Sequence, residues 1–279
     1  MNLNTEFRIY PSFSGNQLRI LDKLDVALRS RHGPEWQAQR MVGDILRICA
    51  EADSLQRLSS ILRDLWAVVI LLASQFSSDG QDQRTLVNFI ETLREREDEV
   101  RKGSNIFWKD LPYLADCLSE NWNDPLSSSR RLTQRDMTEW ENLNSFVARL
   151  TNKNFCPWLQ LPIKELRNAL ECPQSRGAVM ECRVLVATDW IIRCGDVLLH
   201  KLTGENADRH LALSLVTGPL CRNVPLLGVE RWAFWSKRFQ EIGNNYQKLE
   251  LNDAIYLRIG KALRVMSAFE RERAYLDRT

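Results

Sequence analysis

The chain is predicted to be all-α, on three observations. Apolar residues recur at three- and four-residue intervals along almost its whole length. Apart from weak hints near residues 8–13, no segment of useful length alternates with the period of two that a strand requires. Glycine, proline and serine clusters sit between the periodic segments as helix stops and caps. Together these predict roughly nine to eleven helices. No repeat recurs at a fixed period, which leaves a regular solenoid unsupported.

The elements follow in order. Ile20, Leu21, Leu24 and Leu28 form a first stripe, ended by His32-Gly33-Pro34. A second helix starts near Glu35 with Pro34 before it, and carries Trp36, Met41, Ile45, Leu46 and Cys49. Ser54 reads as the N-cap of a helix with Leu58, Ile61, Leu62, Leu65 and Trp66 that continues to Phe76. After a polar loop over 77–83, Leu86, Phe89, Ile90 and Leu93 begin a helix expected to end in the charged run 94–102. That run carries both signs at helical spacing, as a solvated face does. Pro125 and the serines after it mark the clearest break of the first half. Trp140, Leu143, Phe146, Val147 and Leu150 then give a helix with one buried face. A shorter helix is expected over 163–170, a loop over 172–177, a long and mostly apolar helix over 179–202, and another over 210–216 ended by Gly218-Pro219. Helices over 228–242 and 252–276 complete the set.

At 279 residues the chain can bury a core, and it reads as a single helical domain over 1–279. The formal charge of +2, from 38 basic and 36 acidic residues, argues against a dedicated nucleic-acid protein while leaving room for a local basic face. The seven cysteines are odd in number and include no C-x-x-C pair, so neither a zinc site nor a thioredoxin-type centre is supported and a reducing compartment is inferred. The N-terminus lacks the charged-then-apolar order of a signal peptide, and the longest apolar run, 65–73, falls well short of the roughly 20 residues that span a bilayer. A soluble, cytoplasmic protein is expected. No phosphate loop, dinucleotide fingerprint, H-E-x-x-H or G-x-S-x-G occurs, and three histidines cannot build a histidine-rich metal centre. No metal and no cofactor are expected.

Four constellations remain as candidates. Asn144 and Arg149 adjoin the buried face of the 140–150 helix, where each needs a partner, either as a structural clamp or as part of a ligand site. In the 179–202 helix, apolar nearly all round and including Trp190, the residues Asp189, Arg193, Asp196 and His200 fall at i, i+4, i+7 and i+11. That stripe is either a solvent face of ion pairs or the polar wall of a cavity, in which Asp196 orients His200 for proton transfer. Glu171 closes its helix against the helix dipole, so Arg167 or Lys164 compensates it, or it binds a cationic ligand such as a guanidinium. Trp232, Trp235 and Phe239 make a core stripe or a stacking platform. Beside them Lys237, Arg238, Arg258, Lys261, Arg264, Arg271 and Arg273 could form a basic face, diluted by interleaved acids.

The segments FWKDLPYL, WENLNSFVARL, LRNALE, ATDWIIRCG and ERWAFWSKRF, in that order, resemble a fungal family of helical proteins of uncharacterised function. Members of that family accompany natural-product gene clusters, including an oxopyrrolidine one. The likeness runs over residues 110–239, within a family-like core of about 107–242. The family is similar in turn to the fungal arginine-containing cyclodipeptide synthases, which join arginine to a second amino acid, both taken from aminoacyl-tRNAs. That resemblance implies an aminoacyl-tRNA-dependent enzyme. Its substrates are activated esters, so neither ATP nor a nucleotide fold is required. It further implies a pocket in which Glu171 or Asp189 meets the arginine, with Asn144, Arg149 and Trp190 beside it. His200 with Asp196 would serve as the base, and Lys237, Arg238, Arg258, Lys261 and Arg264 would meet the tRNA. No catalytic residue carries over by a diagnostic motif, because none is known. Two other classes stay open: a non-catalytic helical interaction or regulatory protein of a biosynthetic cluster, and a cofactor-free cyclase or isomerase.

Overall fold

Helix caps written into the sequence set where the first helices begin. Ser14 Oγ accepts from the Gln17 backbone N–H at 3.1 Å while the Gln17 side chain accepts from the Ser14 N–H at 2.9 Å, a closed capping box. In the computed structural model, which describes residues 13–127, 131–152, 160–173, 176–203 and 216–276 (the last four as backbone), this box opens α1 (Gly15–Leu28). Pro34 at its first turn opens α2 (Pro34–Ala50), and Ser54, accepting from Arg57 N–H at 3.2 Å, caps α3 (Leu55–Gln75). Then come α4 (Gln81–Arg94), α5 (Leu114–Asn121), α6 (Gln134–Asn152), α7 (Gln160–Leu166), α8 (Ala178–Thr203), α9 (Val229–Asn244) and α10 (Asp253–Leu276). The described residues hold these ten α-helices and no strand, so the fold is all-α. The expected helix over 210–216, apart from Val216, and the hint of alternation near residues 8–13, apart from Phe13, lie outside the described residues.

The described chain clusters into two compact units, residues 1–130 and 131–279, dividing just past the Pro125 break. In the first unit α3 is the core helix: Leu58, Leu62, Leu65, Trp66, Val69 and Leu72 are all fully buried. By length and mean hydropathy this helix passes as a membrane span, but its apolar face is packed against α1, α2, α4 and α5. The Trp66 indole donates to the Pro112 carbonyl at 2.6 Å, and the Tyr113 and Ser59 hydroxyls lie 2.8 Å apart. These bonds pin a tight segment in which Leu111 (φ 44°) and Tyr113 (φ 67°) both adopt left-handed backbone, a conformation costly for residues with a side chain.

Past Arg94 the charged run 94–102 is not helical, contrary to its spacing. The helix stops at Arg94, and the Glu99 carboxylate accepts from the backbone N–H groups of Gly103 and Asn105. Gly103 (φ 79°) supplies the left-handed turn that makes this geometry accessible. Arg96 pairs with Asp98 at 2.6 Å instead of with a residue one helical turn away. Local side-chain-to-backbone bonding has displaced the helix.

In the second unit α8 is the central helix, flanked by α6, α7, α9 and α10. Val184, Ala187, Ile191, Leu198 and Leu202 of α8 pack with Trp232, Trp235, Phe239 and Ile242 of α9 and Ile255, Ile259, Ala262 and Met266 of α10. The tryptophan stripe of α9 is therefore core. Midway, α8 breaks: Cys194 leaves helical backbone (φ −144°, ψ 24°). Gly195 follows, and a Cβ there would come within 3.1 Å of Phe269 and 3.4 Å of Trp232. Two aromatic rings thus occupy the space that a side chain would need.

Candidate functional site

Three polar assemblies lie inside this unit, and each absorbs residues that the sequence marks. The first forms around Glu171. After α7 the chain widens into a π-helical turn, Arg167–Glu171, which delivers Glu171 into the core with no solvent exposure. Its compensation comes not from Arg167 or Lys164 but from Arg231 of α9, itself fully buried. Arg231 Nε donates to Oε1 at 2.7 Å and Nη2 to Oε2 at 3.1 Å. Trp235 Nε1 donates to Oε1 at 2.7 Å and the Gly218 backbone N–H to Oε2 at 2.7 Å. A carboxylate offers about four lone-pair positions, and here the chain's own donors fill them all. Arg231 also donates to the Leu226 carbonyl at 2.7 Å and lies over the Trp235 ring at 5.4 Å. Gly218 is required by the fit: a Cβ on it would stand 2.5 Å from the Glu171 carbonyl oxygen. The guanidinium expected at Glu171 is present, but it belongs to the chain.

The second assembly joins α6 to α8. Trp190 Nε1 donates to Asn144 Oδ1 at 2.8 Å, and Asn144 Nδ2 donates to the Trp140 carbonyl at 2.9 Å. Asn144 and Trp190 are both fully buried, so this is a clamp between helices. Arg149 is half-buried in the last turn of α6, where its charge suits the helix dipole.

The third assembly is a seam between α6, α8 and α10. Asp189 is buried and receives Arg193 Nε at 2.7 Å and a close contact from Arg258 Nη2 of α10. Glu141, on α6, faces the same seam. Burial pushes its carboxyl up to about 7; the Cys182 thiol and the Arg258 charge pull it down, while Glu181 and Asp189 add to the rise. Glu181 is held separately, its two oxygens accepting from the Asn252 side chain at 2.6 Å and the Asn252 backbone at 3.3 Å. Sequence reasoning missed Glu141: next to Trp140 on an amphipathic helix, it looks like an ordinary flank residue. It missed Arg231 also, hidden in a tryptophan-rich stripe.

The polar stripe of α8 divides at the kink. Asp189 and Arg193 pair inside the seam, whereas Asp196 and His200 are exposed beyond it. The basic face divides too. Arg258, Lys261 and Arg264 line a cleft of about 830 Å³ bounded by α8, α9 and α10, with Leu185, Phe239, Gln240, Asn244 and Tyr256 among the other walls. No carboxylate is among its described lining residues, and Arg258 links it to the seam behind. Lys237 is exposed on α9. Arg238 turns away, donating to the Leu170 carbonyl at 3.1 Å and pairing with Glu241, at a separate depression that Arg176 and Lys248 also line. The Arg273 side chain lies outside the described residues, as does Cys156. The buried thiols are poor nucleophiles, with Cys49 pushed up to about 12 by burial, and Cys221 to about 11 by burial and by the Glu171 charge.

Neither the curated proteins nor the solved structures give a match to this chain. A family profile does: the one described as "Protein of unknown function (DUF3632)" matches residues 66–239, well over half of the sequence, and the chain belongs to that family.

Proposed function

We propose that the chain is a small-molecule biosynthetic enzyme that works at the cleft between α8, α9 and α10. In its most specific form, the proposal is an aminoacyl-tRNA-dependent synthase of an arginine-containing cyclic dipeptide, acting in the cytoplasm. One observation carries it: a concave site whose described lining holds three cations and no carboxylate, and one of those cations, Arg258, reaches the buried Asp189 behind it. The cations suit a phosphodiester chain. Amide formation from aminoacyl esters needs no redox group and no nucleotide hydrolysis, so the chemistry asks only for binding, orientation and proton transfer. The resemblance to fungal proteins of natural-product clusters points the same way.

The test is reconstitution. The protein is incubated with arginine, a second amino acid, tRNA, the matching synthetases and ATP, and the products are separated by mass. A cyclic dipeptide containing arginine is the expected product, and its absence with all twenty partner amino acids refutes the proposal. A non-catalytic interaction protein is the second reading. It is favoured by Tyr256 and Leu257, which stand 49% and 68% exposed at the cleft. Under that reading a partner helix would bind there and no dipeptide would form.

A further inference from the structure

We infer that the cleft between α8, α9 and α10 takes the unpaired end of an RNA strand, with a base stacked on Tyr256 and the neighbouring phosphates on Lys261 and Arg264. The inference rests on the RNA-borne substrate proposed above and names the part of it that this cleft holds. Tyr256, Lys261 and Arg264 all line the cleft, and all three are exposed. An aromatic ring beside cations is the combination that binds single strands whatever their sequence. Every base offers a flat face to stack, and every nucleotide offers a phosphate.

The ring is held in place before any ligand arrives. Tyr256 leans on Tyr246, with centroids 5.0 Å apart and planes inclined by 30°. Tyr246 in turn packs against the core, and its carbonyl accepts from the Leu249 and Leu251 N–H groups at 3.2 and 3.0 Å. A ring backed in this way loses little freedom when a base lies on it. An exposed tyrosine alone is ordinary surface; the cations beside this one set it apart. Among the described residues Lys261 and Arg264 have no acidic partner, whereas Arg258 is taken up by Asp189. An apolar partner helix would cover Tyr256 and Leu257 but leave those two charges unmatched.

Spacing along α10 gives the strand a path. Tyr256, Gly260 and Arg264 fall at i, i+4 and i+8, one row on the helix. At the α-helical rise, Lys261 and Arg264 lie about 7.5 and 12 Å along the axis from Tyr256. Gly260 keeps the row open between ring and guanidinium: beyond the helix's own backbone, a Cβ there would meet only Arg264 Nη1, at 3.6 Å. A cavity of about 830 Å³ is the size that takes a drug-sized molecule, so it admits roughly one or two nucleotides and no duplex. In a duplex, moreover, neighbours cover both faces of each base, and a protein ring finds a free face only on an unpaired end or loop. The amino acid of an aminoacyl-tRNA is esterified to such an end, so a base held on Tyr256 brings the ester to the cleft.

The experiment measures binding to the full chain, by fluorescence anisotropy, of a short single-stranded RNA, a base-free sugar–phosphate oligomer of the same length, and a blunt RNA duplex. The wild type should prefer the single strand to the base-free oligomer by about 5- to 150-fold, the range of one stacked base. Tyr256→Ala should lose that preference and Tyr256→Phe should keep it. Gly260→Leu, which fills the opening with a better helix former, should weaken the single strand by about tenfold or more with no drop in Tm. Equal binding of the single strand and the base-free oligomer, or a preference that survives Tyr256→Ala, overturns the inference. So does an unchanged affinity in Gly260→Leu, tighter binding of the duplex, or no RNA binding at all, the outcome that a partner helix would give. These RNAs carry no ester. Binding as expected, alongside a reconstituted reaction that yields no dipeptide, therefore sustains this site and overturns the synthase instead.

Discussion

Replacing Arg231 by methionine tests how the second unit is locked together. The change keeps a long side chain against Trp235 but removes two of the four donors to Glu171, at 2.7 and 3.1 Å, and all of the counter-charge. Both partners are fully buried, so water cannot replace the lost bonds. Breaking one side of such a pair costs about 3–5 kcal/mol, because the remaining charge stays buried and uncompensated. The Leu226 carbonyl also loses its donor, so the upper part of that range applies. For a unit of this size that corresponds to a fall in Tm of roughly 10–20 °C. The double variant Glu171→Gln/Arg231→Met contains no buried charge, and its cost should fall short of the summed single costs by about 2 kcal/mol or more. Urea denaturation followed by tryptophan fluorescence reads this directly, since Trp235 sits on the pair. A loss below about 1 kcal/mol for Arg231→Met, or strict additivity in the double variant, would refute the reasoning.

Further expectations concern the other assemblies. Asp189→Ala should destabilise by about 3–5 kcal/mol, because it strands Arg193 and Arg258 in the seam, whereas exposed His200→Ala should change stability by less than about 0.5 kcal/mol; equal effects in thermal melts would contradict this placement. Gly218→Ala puts a methyl group 2.5 Å from a carbonyl oxygen and should cost roughly 1–3 kcal/mol or more, and a neutral outcome would show that the loop does not press on the π-helical turn. Because Glu141 stands at about 7 when folded, against an ordinary 4.5, the folded state holds a proton that the unfolded chain has lost. Stability should therefore fall as pH rises from about 4.5 to 7, by on the order of 1–3 kcal/mol after solvent screening of this half-buried group. Glu141→Gln should flatten that part of the pH–stability curve, and an unchanged slope would count against the seam.

The helices were legible because each buries one periodic face, and the starts of α1, α2 and α3 follow from caps that act within three residues. Local bonding defeated the periodicity at 94–102, where Glu99 finds backbone N–H groups before a helix can form. The site was legible only in part. The i, i+4 spacing of Asp189 and Arg193 marks a true pair, but the i+7 and i+11 members fall beyond a kink at Cys194, next to Gly195 on which rings from α9 and α10 pack, and spacing along one helix cannot reveal this. Glu171 shows in the sequence as an acid at an unfavourable helix end, yet its counter-ion lies sixty residues away. Glu141 gives no signal at all, since its perturbation comes first from burial in the packed unit and then from groups on two other helices.

Binding of arginyl-tRNA across a salt series, by the wild-type chain and by Lys261→Ala/Arg264→Ala, tests the cleft most directly. The wild type should bind with an affinity that falls steeply with salt, and loss of two cleft cations should weaken binding and reduce the log–log slope by roughly 1.4–1.8. No binding by the wild type, or an identical slope in the variant, would contradict the assignment of this cleft to an aminoacyl-tRNA.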